Sequence, residues 1–105
     1  MKDAFDELIS AIQRCHEKCP WIKEQTVEKH GKEVLSEAKE VVEAIEKKDY
    51  ENLKEELGDL LWDTITLALL AEKEGLFKAK EIMDVVISKM KRRLLLMFGW
   101  MEKLI

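Results

Sequence analysis

Proline, glycine, cysteine and aromatic side chains are all scarce in this chain of 105 residues. Proline occurs once, at Pro20, and glycine four times, so the punctuation that a many-turned β fold needs is missing. No stretch reaches the ~18 to 20 uninterrupted apolar residues that would span a bilayer, and no membrane partner is expected. The opening MKDAFDELIS is charged from its second residue, unlike a secretion signal, which makes the cytoplasm the expected location. Two cysteines, Cys15 and Cys19, could join His16 or His30 in half a zinc site. No second Cys/His pair follows at a finger-like distance, so free thiols are expected. A net charge of -4 offers no basic block for duplex nucleic acid, although a single small phosphorylated ligand stays compatible.

What is abundant is helix former. Glu, Lys, Leu, Ala and Met lose least on entering a helix, and 105 residues suit one domain with one core, spanning 1–105. The expected fold is all-α, a four-helix bundle-like domain with helices over about 3–18, 27–47, 50–74 and 78–98. Phe5, Leu8, Ile9, Ile12 and Cys15 repeat at helical spacing, and Pro20 ends that first helix. The segment CPWIKEQT reads as the one irregular stretch, with Trp21 anchoring a loop. Helix two starts near Thr26 or soon after Gly31, with Val34, Ala38, Val41 and Ile45 inward and Leu35 and Val42 widening the stripe. Asp49 is a good N-cap for helix three, and Gly75 a good stop.

Two acid pairs lie on these helices, Glu37/Glu40 and Glu56/Asp59. At ~100° per residue, counted from Val34 and from Leu53, each pair falls near 300° and 240°, at the border of its helix's apolar arc. A solvated acid would sit opposite that arc, as Glu43 does at about 180°. Carboxylates at the edge of a core are costly unless a cation or hydrogen bonds compensate them, and four hard oxygen donors around one point suit magnesium. Asp63, one turn beyond Asp59, is a candidate fifth ligand or supporting group. Helix three carries a second stripe, Gly58, Trp62, Ile65 and Leu69, which is either packed on by the chain's own helices or forms a subunit interface; the interface is the preferred expectation. In the last helix Ile82, Met83, Val85, Val86 and Met90 are expected inward, with Lys89, Arg92 and Arg93 as the densest basic residues. The tail LLLMFGWMEKLI reads as further core or interface.

The runs CPWIKEQT, SEAKEVVEAIEKKDYENLKEELGDLLWD and AEKEGLF, with the later KMKRR, resemble the MazG family of nucleotide pyrophosphohydrolases. The likeness runs from Cys19 to Arg93, about three quarters of the chain, and its specificity lies in the combination of the Trp segment with the two acid pairs. It implies an all-α, oligomeric enzyme, a dimer or a dimer-of-dimers tetramer. Such an enzyme hydrolyses nucleoside triphosphates (NTP or dNTP) to the monophosphate and pyrophosphate with Mg2+, for which Mn2+ substitutes. On that likeness Glu37, Glu40, Glu56 and Asp59 are the metal ligands, and Glu37, Glu40 and Lys23 take part in catalysis. Trp21, Lys23, Asp63, Lys89, Arg92 and Arg93 face the nucleotide. The sequence departs from the family pattern at Ser36, where an acid is usual, and at Ile22, Val27, Ile87 and Leu94 to Leu96. These departures bear on base recognition and turnover. A di-iron protein would need Glu-x-x-His, which neither His16 nor His30 completes. The reading from another class is a catalytically weak nucleotide-binding or oligomeric helical protein, motivated by Ser36.

Overall fold

A computed structural model of the protein describes residues 1–98. Five helices follow one another: α1 (Lys2–Lys18), α2 (Pro20–Lys23), α3 (Val27–Glu46), α4 (Tyr50–Lys73) and α5 (Ala79–Phe98). No strand occurs among the described residues. The four long helices lie within two residues of their expected bounds. The correction is α2. The residue before a proline is pushed out of the helical region, and Cys19 is accordingly extended at φ -83° and ψ 118°. Pro20 then occupies the first helical position, where its fixed φ and missing N–H cost nothing, so the residue that ends α1 also starts α2. Ile22, 1% exposed, is the side chain that anchors this turn, whereas Trp21 is 49% exposed.

Local chemistry explains most of the helix ends. The Thr26 hydroxyl accepts from Lys29 N–H at 3.2 Å, and an Asp49 carboxylate oxygen accepts from Asn52 N–H at 3.2 Å. Gly75, at φ 77°, supplies the left-handed residue after α4. Two further caps are tertiary. Glu74 accepts from Val27 N–H at 2.8 Å and Glu72 accepts from Ala79 N–H at 2.9 Å, so the last turn of α4 holds the first turns of α3 and α5.

Helix α4 is central: it packs against α3, α1 and α5, while α1 also meets α2. The core consists of Ile12, Ile22, Ala44, Ile65, Leu70 and Ala71. Covering by α1 and α5 explains why Ile65 is buried and Leu69 half-buried, so the chain's own helices pack on that end of the stripe that was expected to be an interface, while Gly58 is exposed and Trp62 half-buried. The apolar positions left in water are others. On α3, Leu35, Val42 and Ile45 are 60%, 52% and 51% exposed, and on α4, Leu57 and Leu61 are 48% and 41% exposed. Burial on α3 centres on His30 and Ala44, the direction in which Glu37 points, because α4 is the one long helix packed against it. Ile82, Met83, Val85, Val86 and Met90 are likewise exposed rather than inward, since α5 touches α4 and no other helix. The end of the LLLMFGWMEKLI tail, from residue 99, lies outside the described residues.

Candidate metal centre

Helices α3 and α4 form a hairpin about the turn at residues 47–49, and this folds the two acid pairs onto one another. One carboxylate oxygen each from Glu37, Glu56 and Asp59 lies within 4.8 Å of the others. Glu40, exposed, lies close enough to Glu56 and Glu37 to perturb the titration of both. All four acids are thus brought together, three of them around a common point.

The charge state follows from the crowding. Hydrogen bonds with the carboxyls of Glu40 and then Glu37 push Glu56 up to about 8, helped by loss of water and by repulsion from the same two groups. Burial, followed by repulsion from Glu40 and Asp59, raises Glu37. Bare carboxylates cannot hydrogen bond to each other, so a proton is shared among them when no cation is bound. Even so, Glu37 Oε2 and Glu56 Oε2 are buried with no hydrogen-bond partner. Among the described residues, no Lys, Arg or His pairs with any of the four acids. Orphaned hard oxygens, stacked negative charge and no protein counter-ion fit a divalent cation of the magnesium or manganese type.

The other sequence-predicted residues are spread more widely. Lys23 ends α2 and is exposed, close in sequence to the half-exposed Trp21. Lys89 borders an apolar groove on α5 with Phe77, Ile82 and Val85, and Arg92 and Arg93 are exposed one turn further on. None of these three belongs to the helix hairpin, and α5 does not touch α3. Asp63, 8% exposed, turns its Oδ1 toward His30 Nε2 at 3.2 Å. Sequence reasoning missed His30, which is wholly buried, because it was weighed as a zinc or iron ligand. The signal was present in the angular count: four residues before Val34, His30 falls at about 320°, at the border of the arc and nearer to it than Glu37.

The model of the MazG nucleotide pyrophosphohydrolase domain matches residues 25–97, which takes in the whole hairpin. This chain belongs to the MazG family. The Escherichia coli (strain K12) protein named nucleoside triphosphate pyrophosphohydrolase is 37% identical over 92 residues, 85% of this chain and 35% of that protein. The Thermotoga maritima protein named nucleoside triphosphate pyrophosphohydrolase/pyrophosphatase MazG is 35% identical over 104 residues, 94% of this chain and 41% of its own length. The chain therefore spans well under half of each of these two relatives. Among solved structures, the crystal structure of a mazG-related protein from Thermotoga maritima superposes with a TM-score of 0.82 at 32% identity, covering 89% of this chain and 82% of that one. The all-α MazG fold is common to both.

Proposed function

We propose that this MazG domain hydrolyses nucleoside triphosphates, ribo or deoxy, to the monophosphate and pyrophosphate in a magnesium-dependent reaction, with non-canonical nucleotides as the physiological class. The single observation that carries the reading is the carboxylate cluster, with two buried oxygens lacking any partner. A triphosphate and four carboxylates repel, so a substrate of this class needs a cation between them. Glu37, Glu56 and Asp59 would hold that cation, with Glu40 at its edge. When bound, magnesium supplies charge neutralisation for the phosphates and a water acidified toward neutral pH.

The remaining roles belong to side chains. A cluster carboxylate, with Glu40 and Asp59 the two open to solvent, accepts the proton of the attacking water. Lys23 offsets charge on the departing pyrophosphate, and Trp21 forms a wall against the base or sugar. Lys89, Arg92 and Arg93 lie on α5, which packs on α4 and not on α3, and in this reading they meet the phosphates from that side or from the α5 of a second copy of the chain.

A homo-oligomer is part of this reading. The chain exposes 8252 Å² of surface, whereas a compact 12.3 kDa monomer exposes about 6,100 Å². Leu35, Val42, Ile45, Leu57 and Leu61 of the hairpin, with Ile82, Met83, Val85, Val86 and Met90 of α5, are among the apolar side chains left in water. No helix among the described residues is long and apolar enough to cross a membrane, and the proposed location is the cytoplasm.

The test is product analysis. Purified protein incubated with each NTP and dNTP in magnesium should yield monophosphate and pyrophosphate in equal amounts, and lose that activity in a chelator. Release of orthophosphate, or of nothing, refutes the hydrolase. Ser36, exposed on α3 at a position where the family resemblance leads one to expect an acid, is the one observation favouring a nucleotide-binding protein without turnover. Magnesium-dependent nucleotide binding with no product would decide for it.

A further inference from the structure

One ion pair among the described residues has both partners buried. His30 of α3 is 0% exposed and Asp63 of α4 is 8% exposed, with Nε2 and Oδ1 3.2 Å apart. The two other pairs, Lys54 with Glu51 and Lys80 with Asp84, are open to solvent. The His30 contact is short but lacks hydrogen-bond geometry, and Nδ1 also has no partner, so two polar groups face each other in the core without a hydrogen bond. Burial raises the Asp63 carboxyl and the nearby His30 lowers it again. A buried pair of this kind is commonly no more stabilising than apolar side chains of the same volume. Its presence therefore asks for a reason other than holding α3 to α4, which pack against each other along the hairpin.

Its surroundings give one. On α4, Asp63 follows Asp59 by a single turn, and on α3, His30 precedes Glu37 by two, so the pair is the next layer of the face that carries the acids. On its far side the Trp21 ring meets His30 edge to face, with centroids 6.2 Å apart and planes at 73°. Trp21 is 49% exposed, and it shares its short helix with Lys23. His30 thus links the acid cluster's hairpin to the turn that presents Trp21 to solvent.

We propose that His30, braced by Asp63, is a positioning residue: it fixes the attitude of Trp21 and thereby seats the nucleobase of the substrate relative to the carboxylate cluster. The inference rests on the nucleotide-hydrolase reading above and adds a determinant of base binding to it. Trp21 has two side-chain torsions, and the His30 ring blocks part of their range at the buried edge while the exposed part of the indole stays free for a base. An aromatic pair of this type corresponds to about two- to tenfold in affinity when lost.

The experiment measures nucleotide and inorganic tripolyphosphate affinity by calorimetry with magnesium, using the full chain. Tripolyphosphate has the triphosphate but no base. Single removal of either charge risks the fold, so the paired variant H30L/D63L refills the core, and H30F/D63L keeps a ring at position 30 without the pair. H30L/D63L should weaken NTP binding by about two- to tenfold and leave tripolyphosphate binding unchanged. H30F/D63L should recover most of the loss. Trp21→Ala should weaken NTP binding similarly, with no further loss when combined with H30L/D63L. An unchanged NTP affinity in H30L/D63L, equal weakening for tripolyphosphate, or full additivity with Trp21→Ala would overturn the proposal, as would a wild-type protein that binds no nucleotide. Binding without turnover would refute the hydrolase while leaving the role of His30 to be decided by the same series.

Discussion

Replacing Glu56 with glutamine removes one carboxylate but keeps its shape and a hydrogen-bond donor, which is the form the metal-free cluster itself adopts while Glu56 holds a proton. Glu56 is pushed from an ordinary 4.5 up to about 8 by the Glu40 and Glu37 carboxyls. Between those values the folded chain binds more protons than the unfolded one. Stability from this group is therefore fully present below about pH 4.5 and is lost as pH rises through about 8. The metal-free wild type should melt at progressively lower temperature across that window, and E56Q should show a shallower slope, with Glu37 contributing what remains. Cation binding has the opposite dependence. A proton must leave before the carboxylate can ligate, so apparent magnesium affinity should rise by up to about tenfold per pH unit toward 8 and level off above it. With magnesium at about 100 times its dissociation constant, the wild type gains about 2.7 kcal/mol, or about 10 to 20 °C in a domain of this size. E56Q should gain a few degrees at most and show no magnesium-dependent hydrolysis. Scanning calorimetry from pH 5 to 9, with and without magnesium, reads all of these quantities. A metal-free Tm flat across that range, or an E56Q protein stabilised by magnesium as fully as the wild type, would refute the account of the cluster.

Further outcomes follow from the packing. Leu70 is completely buried where α4 is central, so Leu70→Ala should cost about 2 to 5 kcal/mol in denaturant unfolding; a loss below 1 kcal/mol would contradict that position. Glu74→Ala removes the acceptor of Val27 N–H and should cost about 1 kcal/mol, with faster hydrogen exchange at the start of α3 and not at its end. Leu61→Glu places a charge among the exposed apolar positions of the α3–α4 hairpin and should shift the mass in light scattering toward a single chain; an unaltered oligomer would move the interface elsewhere.

The helices were legible because their signals are local. Thr26, Asp49 and Gly75 act on residues three or fewer positions away, and the acid pairs share a face because three residues make nearly one turn. Other features depend on partners far along the chain. Glu74 reaches a backbone N–H 47 residues earlier, and nothing near it in sequence marks it as a cap. Asp63 was visible as a continuation of the acidic stripe and His30 as a possible metal ligand, but not as each other's partner. The apolar stripe of α3 was read correctly as a stripe, but only Val34, Ala38 and Val41 are half-buried, while Leu35, Val42 and Ile45 are exposed. Periodicity tells which side chains prefer to leave water; it does not tell which neighbour is there to cover them.

By itself the sequence determined an all-α chain, the order and bounds of its long helices, and the placing of Glu37, Glu40, Glu56 and Asp59 at equivalent angles, since each follows from spacing along one helix. Only the tertiary structure decided that Glu37, Glu56 and Asp59 converge within 4.8 Å, that Glu56 keeps its proton to about 8, and that His30 stands between Asp63 and Trp21. Those are properties of distance between elements, and distance between elements is set by how helices pack, not by the order of residues within them.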